Sequence, residues 1–189
     1  MTPFVTLQGH AAVLPQANID TDQILPARFL RKPRDLAQGQ DYAAFLFADL
    51  RADDPAFGVI PSAAILLAGA NFGCGSSREG AVYALIDAGI RCVVAPSFGD
   101  IFAANATLNG LLTVVLADAP MIGGETWVDL PAQRIGFANQ SVHSFSIDPA
   151  RKRQLVEGLD EIGMTLTHQT RISAFETKVR GLRPWAVPS

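Results

Sequence analysis

The centre of the chain alternates short apolar runs with amphipathic stretches in a regular order. Strand-like apolar runs lie at residues 65–67, 92–95 and 111–116, and helical patterns lie between them at 79–87 and 100–107. Short runs that are apolar at every position are typical of strands covered on both faces. Gly89 follows the first helical pattern, as a C-terminal cap commonly does. The alternation predicts an α/β fold with a parallel βαβαβ unit and right-handed crossovers.

The regions on either side of this centre have weaker patterns. Toward the N-terminus, residues 4–7 and 11–14 have the pattern of two short strands separated at Gly9, and residues 41–50 have helical spacing. Toward the C-terminus we expect strands at 127–130, 134–137 and 143–147 and helices at 149–157 and 169–178. The chain is expected to form one domain over residues 1–189, with a core at about 5–178 and a C-terminal tail at 179–189.

Composition and charge restrict the class of protein. Hydrophobic residues make up 49% of the 189 positions, which is enough for a sizeable core. A net charge of −3 argues against a nucleic-acid partner, because such proteins usually carry a basic surface. The first residues lack the pattern of a signal peptide, and we find no long apolar run, so we expect a cytoplasmic protein without membrane contact. Cys74 and Cys92 form no CxxC pair and predict neither a disulfide framework nor a metal cage.

The segment NFGCGSSREG, residues 71–80, is the main candidate for chemistry. It joins the end of a predicted buried strand to the start of a predicted helix, the edge where ligands collect in α/β sheets. Helix N-termini favour anions, and glycines allow the backbone to come close to a ligand or to adopt a positive φ. Arg78 adds a planar pair of donors that matches a carboxylate or phosphate. These features together predict an anion site.

Other interpretations of the same residues remain open. Ser76 and Glu79 have the spacing of a capping box, in which both side chains serve only to begin the helix. A dinucleotide site is disfavoured, because Arg78 occupies the place of the third glycine in GxGxxG. A nucleophilic role for Cys74 needs a nearby base, and the three histidines are all distant in the sequence, so we expect a small buried thiol.

A second polar segment, NIDTDQILP at residues 18–26, precedes a basic run. Asp20 and Asp22 can supply two carboxylates to a divalent metal, but two ligands are few for a metal site, and a turn or cap formed by these side chains is favoured. The basic residues that follow are Arg28, Arg31, Lys32 and Arg34. They form either a solvated face or a second element that recognises a carboxylate.

Four segments together resemble one known family. In order along the chain, NIDTDQILPARFL, ANFGCGSSREGA, APSFGDIFAANATLNGLL and GLDEIGMTL resemble the small subunits of 3-isopropylmalate dehydratase, in the aconitase superfamily. The resemblance runs from about residue 5 to about residue 178. It implies the aconitase-type swivelling domain, a three-layer β/β/α arrangement.

The resemblance also implies an activity and a partner. Relatives of this kind are hydro-lyases that isomerise 2-isopropylmalate to 3-isopropylmalate in leucine biosynthesis, by removing water and adding it back. A 4Fe-4S cluster, held by three cysteines of a separate large subunit, acts on the hydroxyl group. We therefore expect this chain to bind no cofactor, to require the large iron–sulfur subunit and to contact a small dicarboxylate substrate. Two alternatives stay open: another aconitase-type hydratase for citraconate, dimethylmalate or homocitrate, and an anion-binding module without catalysis.

Site residues follow from the resemblance position by position. Ser76 matches the catalytic base, and Ser77 and Arg78 match the residues that hold the substrate carboxylate. Asp22 matches an active-site aspartate. Arg31 falls in the loop that contacts the variable group of the substrate, although Arg34 can take that role instead.

Overall fold

Seven strands form one mixed sheet in the computed structural model, which describes residues 1–53, 57–58, 60, 63–183 and 185. The strands are β1 Thr6–Leu14, β2 Ile65–Ala68, β3 Cys92–Ala95, β4 Leu112–Val115, β5 Gly124–Asp129, β6 Arg134–Gly136 and β7 Val142–Ser144. Their order across the sheet is β4-β3-β2-β1-β5-β6-β7. Strands β1 to β4 are parallel to one another, and β5, β6 and β7 join the edge of β1 in antiparallel pairs.

Helices connect the parallel strands and follow the antiparallel ones. The α-helices are α1 Thr21–Ile24, α2 Ala48–Asp53, α3 Glu79–Asp87, α4 Asp100–Leu108, α5 Pro149–Glu157, α6 Glu161–Leu166 and α7 Gln169–Leu182. Three short 3-10 segments lie between α1 and α2, at Ala27–Arg31, Leu36–Gln38 and Ala43–Phe45. None of the described helices is both long enough and apolar enough to cross a membrane.

The predicted βαβαβ unit is confirmed. Strand β3 and helix α3 have the bounds that the sequence predicted, and β2, α4 and β4 differ by a residue or so at one or both ends. Gly89 follows the end of α3 with a φ of 91°, as expected for a helix cap that only glycine adopts easily. The chain is therefore an α/β protein with this unit at its centre.

Two predictions toward the N-terminus are wrong. Strand β1 is not interrupted at Gly9, which pairs with Thr126 of β5. A Cβ on Gly9 would lie 2.9 Å from the Cβ of Ala64, so this glycine allows close packing and does not break the strand. The helix predicted at 41–50 is a 3-10 turn followed by α2, because Phe47 between them adopts a φ of 52° that a helix does not allow.

The C-terminal region has more helix than the sequence predicted. Helix α6 was missed, although Asp160 caps it by accepting a hydrogen bond of 2.6 Å from the amide of Gly163. Helix α7 continues to Leu182, past residue 179 where the tail was expected. The single domain with its core at about 5–178 remains a prediction.

Both faces of the parallel strands are buried, which explains why these strands are apolar at every position. On one face, Leu66 and Val93 belong to a core that includes residues of α3 and α4. On the other face, Ile65 and Val94 share a core with residues of β5, β6 and α5. The parallel strands therefore have a core on each face, and the antiparallel strands share the second of these cores. The three-layer description itself remains a prediction.

Candidate active site

The segments that follow β1, β2 and β3 meet at one edge of the sheet, because these strands are parallel. The amide of Gly73 donates to the carbonyl of Ile19 at 2.8 Å, and the amide of Phe72 donates to the carbonyl of Ser97 at 3.1 Å. Asp20 and Cys74 form an isolated parallel bridge. The glycine–serine loop, residues 71–78, is thus held between the two neighbouring segments.

Three aromatic rings pack against one another at the start of this loop. Phe72 makes edge-on contacts with Phe98 and Phe102, with ring centroids 6.5 and 5.4 Å apart. Gly73 has a φ of 72° and lies so close to the Phe102 ring that a Cβ would overlap it. The positive φ that the sequence predicted is confirmed, and the close approach is to this ring.

Ser76 and Ser77 are exposed, and the capping-box interpretation is wrong. The residue that caps α3 is Arg78, without a side-chain hydrogen bond. Glu79 accepts a hydrogen bond of 2.7 Å from the Asn109 amide and does not reach back toward the loop. In the part of the chain that the structure describes, the two serine hydroxyls have no hydrogen-bond partner. A tight turn, in which the Arg78 amide donates to the Ser76 carbonyl at 2.9 Å, keeps Ser76 outside the helix.

Arg78 and Asp22 form an ion pair that joins two of the predicted site residues. The same carboxylate oxygen of Asp22 accepts a hydrogen bond of 2.7 Å from the Ala27 amide. The side chains of Arg78 and Asp22 are 28% and 56% exposed. Because an ion pair with a partner as exposed as Asp22 stabilises the fold by only about 0–1 kcal/mol, another carboxylate can replace Asp22 at little cost.

Arg31 and Arg34 differ in their surroundings. Arg34 donates to Asp87 through Nε at 2.9 Å and Nη2 at 2.6 Å, and its guanidinium lies 4.3 Å from the centre of the Tyr83 ring. The hydrogen bond to Asp87 raises the pKa of Arg34 above its usual value. Arg31 is exposed and makes no ion pair within the described residues. The geometry therefore favours Arg31 as the arginine available to a ligand.

The other residues of the polar segment and the basic run have structural partners. Asp20 caps α1 by accepting from the amides of Asp22 and Gln23 at 2.8 and 2.7 Å, so the capping interpretation is confirmed for this residue. Arg28 pairs with Asp49, and Lys32 lies over the Phe45 ring at 4.3 Å from its centre. Most basic side chains of this run therefore contact acidic or aromatic side chains of the same protein.

The two cysteines are in different environments. Cys92 is fully buried in β3, and this burial raises the pKa of its thiol. Cys74 is partly exposed in the glycine–serine loop, so the expectation of a buried thiol there is wrong. Across residues 1–53, 57–58, 60, 63–183 and 185, no three His, Cys, Asp or Glu side chains come together to hold a metal ion. The residues of this chain do not fit an iron–sulfur cluster.

Comparison with known proteins relates the chain to the aconitases and to one family of dehydratase subunits. Residues 54–119 match the family model described as the aconitase C-terminal domain. Residues 161–189 match the model of the C-terminal domain of the 3-isopropylmalate dehydratase small subunit. The chain is 42% identical over 200 residues to the 3-isopropylmalate dehydratase small subunit of Xanthobacter autotrophicus, covering 98% of this chain and 100% of that protein. It is 44% identical over 205 residues to the small subunit of Phenylobacterium zucineum, covering 98% of both chains.

A solved structure agrees with these matches. The crystal structure of 3-isopropylmalate dehydratase from Methanocaldococcus jannaschii has a TM-score of 0.72 and 28% identity, and the alignment covers 90% of this chain and 99% of that one. The chain belongs to the family of 3-isopropylmalate dehydratase small subunits, and is thus a subunit of a hydro-lyase.

Proposed function

We propose that this chain supplies the base and the carboxylate contacts of an enzyme that interconverts 2-isopropylmalate and 3-isopropylmalate in leucine biosynthesis. The observation that carries the proposal is the exposed Ser76 hydroxyl, which the start of α3 does not use, beside the accessible guanidinium of Arg78. The family to which the chain belongs supports the same substrate.

Ser76 is the residue proposed to move the proton. A serine hydroxyl is a weak base unless its anion is stabilised, and the first amides of α3 together with Arg78 supply positive charge close to it. In the dehydration step, the C–H bond next to the substrate carboxylate breaks and its proton goes to the ionised Ser76 oxygen. The electron pair of that bond forms the carbon–carbon double bond while the neighbouring C–O bond breaks, and the oxygen leaves as hydroxide, which the Lewis acid of the large subunit would accept. In rehydration, Ser76 gives the proton to the carbon that lost the hydroxyl group, and the hydroxide adds to the other carbon.

Ser77 and Arg78 are proposed to hold the substrate carboxylate, and Asp22 is proposed to orient Arg78 at the substrate site. Arg78 exchanges its exposed pair with Asp22 for two hydrogen bonds to the substrate, and Ser77 donates from the same loop. Asp22 keeps the guanidinium oriented until the substrate arrives. Arg31 is proposed to lie beside the variable group of the substrate, since Arg34 is bound to Asp87.

A large subunit is proposed as the obligatory partner. Members of the family are named small subunits, and the resemblance assigns the 4Fe-4S cluster to the other chain. The cysteines described above do not fit such a cluster. The isolated chain is therefore expected to be inactive.

The test is reconstitution with the large subunit encoded in the same genome. The purified pair is assayed against 2-isopropylmalate, citraconate, dimethylmalate and homocitrate. We expect 2-isopropylmalate to have the highest kcat/KM, and neither chain alone to turn it over. No turnover of 2-isopropylmalate, with good turnover of another of these acids, would contradict the proposal.

A further inference from the structure

The residue that most directly fixes the backbone of Ser76 is a buried threonine on another segment. Thr21, the first residue of α1, is only 2% exposed. Its hydroxyl donates to the Ser76 carbonyl at 3.1 Å, and its amide donates to the Cys74 carbonyl at 3.0 Å. The two hydrogen bonds lie on either side of Gly75, which has a φ of 87°.

Helix α1 itself does not need the Thr21 hydroxyl. Asp20 caps this helix, and Gln23 completes the capping box by accepting from the Asp20 amide at 2.9 Å. The Thr21 hydroxyl instead reaches a residue 55 positions further along the chain. Thr21 thus adds a second donor to the Ser76 carbonyl, which also accepts from the Arg78 amide within the loop.

Burial makes this hydrogen bond resistant to loss. If the Ser76 carbonyl moved away, the hydroxyl of the buried Thr21 would lose its acceptor, which is unfavourable for a buried donor. A glycine with positive φ beside an exposed serine gives the loop backbone freedom, which the contacts from Thr21 restrict from outside the loop.

We propose that Thr21 is a positioning residue, which holds the Ser76 backbone so that its hydroxyl stays aligned with the substrate C–H bond. The inference rests on the proposed role of Ser76 as base. A misplacement of a catalytic group by about 1 Å can lower the rate by roughly 100-fold. Loss of the contact from Thr21 is therefore expected to lower kcat and to leave substrate binding unchanged.

The test uses the reconstituted enzyme with Thr21→Val, Thr21→Ala and Thr21→Ser. Valine keeps the shape of threonine without the hydroxyl, and serine keeps the hydroxyl without the methyl group. If the valine variant does not fold, the alanine variant tests the loss of the hydroxyl in its place. Thr107→Val is the matched control, because Thr107 is also buried, at 4% exposure, and its hydroxyl donates to the Ala103 carbonyl at 3.2 Å in α4. Ser76→Ala is measured in parallel.

We expect Thr21→Val and Thr21→Ala to lower kcat by about 10- to 100-fold with KM within about threefold of the unchanged enzyme. Thr21→Ser should restore kcat to within about threefold, and Thr107→Val should leave kcat within about twofold. The inference is overturned if Thr21→Val and Thr21→Ala keep full kcat, if the loss lies in KM, if serine does not restore the rate, or if Thr107→Val loses as much.

Failure of this inference is distinguishable from failure of the proposed function. If Ser76→Ala is inactive while Thr21→Val is fully active, Ser76 remains the base and Thr21 has only a structural role. If Ser76→Ala retains full activity, the assignment of the base itself is wrong, whatever the Thr21 variants do.

Discussion

The Ser76 hydroxyl does not cap α3, because this helix begins three residues after it, at Glu79. A serine that caps a helix uses its oxygen to accept the amide hydrogen bonds of the first turn. Here Arg78 holds the cap position, and the serine lies in the turn before it. The exposed oxygen and the nearby start of α3 together favour a catalytic role for Ser76 over a purely structural one.

The planar shape of Arg78 should matter more than its charge. Arg78→Lys keeps the positive charge but loses the paired donors that match a carboxylate. We expect kcat/KM of the reconstituted enzyme to fall by about 100-fold, measured by steady-state kinetics. Arg153→Lys is the control, because Arg153 forms an exposed pair with Glu157 in α5. Equal kcat/KM for Arg78→Lys and the unchanged enzyme would show that Arg78 does not hold the carboxylate.

The sequence predicted a site at this loop but not the local contacts of its residues. Motif and spacing placed Ser76, Arg78 and Asp22 in one site by resemblance, and the structure brings Arg78 and Asp22 into contact. The capping box was a wrong prediction. The spacing of Ser76 and Glu79 fits a helix that begins at residue 77, whereas α3 begins at Glu79. The contact from Thr21 was missed because hydrogen bonds between distant segments leave no local pattern.

At the scale of elements, the segment between α1 and α2 is attached to α3 through Asp87. This carboxylate is only 3% exposed, and it accepts two hydrogen bonds from Arg34 and one of 2.9 Å from the Tyr42 amide. The 3-10 segment that carries Arg31, Ala27–Arg31, has no buried residue. Besides the packing of Phe29 against the core, the ion pair between Arg34 and Asp87 therefore helps to hold this region in place.

Removal of the Asp87 charge should destabilise the protein clearly. Asp87→Asn leaves the partly buried Arg34 without its counter-charge, and we expect the free energy of unfolding to fall by about 2 kcal/mol. Asp49→Asn is the matched control, since the Arg28–Asp49 pair is more than half exposed and should contribute much less to stability. Urea denaturation measures both variants. Equal losses for the two would contradict the anchoring role of Asp87.

Prediction of elements succeeded where local pattern and packing agree. The buried strands and the two helices of the central unit have regular hydrophobic patterns with turn residues at their ends. Their bounds could therefore be predicted to within about a residue. Gly9 and Phe47 are the exceptions. Gly9 lies within a strand because it packs against Ala64, and Phe47 interrupts a helical pattern with a positive φ. In both places tertiary contacts override the local preference.

At the scale of the whole molecule, the described C-terminal helices differ sharply in burial. Helix α5 packs Leu155 into the core shared by β5 and β6, at 1% exposure. Helix α7 has no buried residue, and its Phe175 is 66% exposed. The stability of the isolated chain should therefore depend on α5 and hardly on α7.

A pair of alanine substitutions tests this difference. Leu155→Ala should lower the free energy of unfolding by about 2–5 kcal/mol, because it leaves a cavity in the core. Phe175→Ala should change it by no more than about 0.5 kcal/mol. Both are measured on the isolated chain by urea denaturation. A large loss for Phe175→Ala would show that α7 is part of the folded core.

The most direct measurement is the kcat of the reconstituted enzyme with Ser76→Ala, compared with Ser144→Ala. Ser144 is an exposed serine in β7, at the far edge of the sheet from the loop. The proposed mechanism predicts that Ser76→Ala folds normally, binds the large subunit and loses about 1,000-fold or more in kcat, while Ser144→Ala keeps full activity. A Ser76→Ala enzyme with the kcat of the unchanged protein would contradict the assignment of Ser76 as the base.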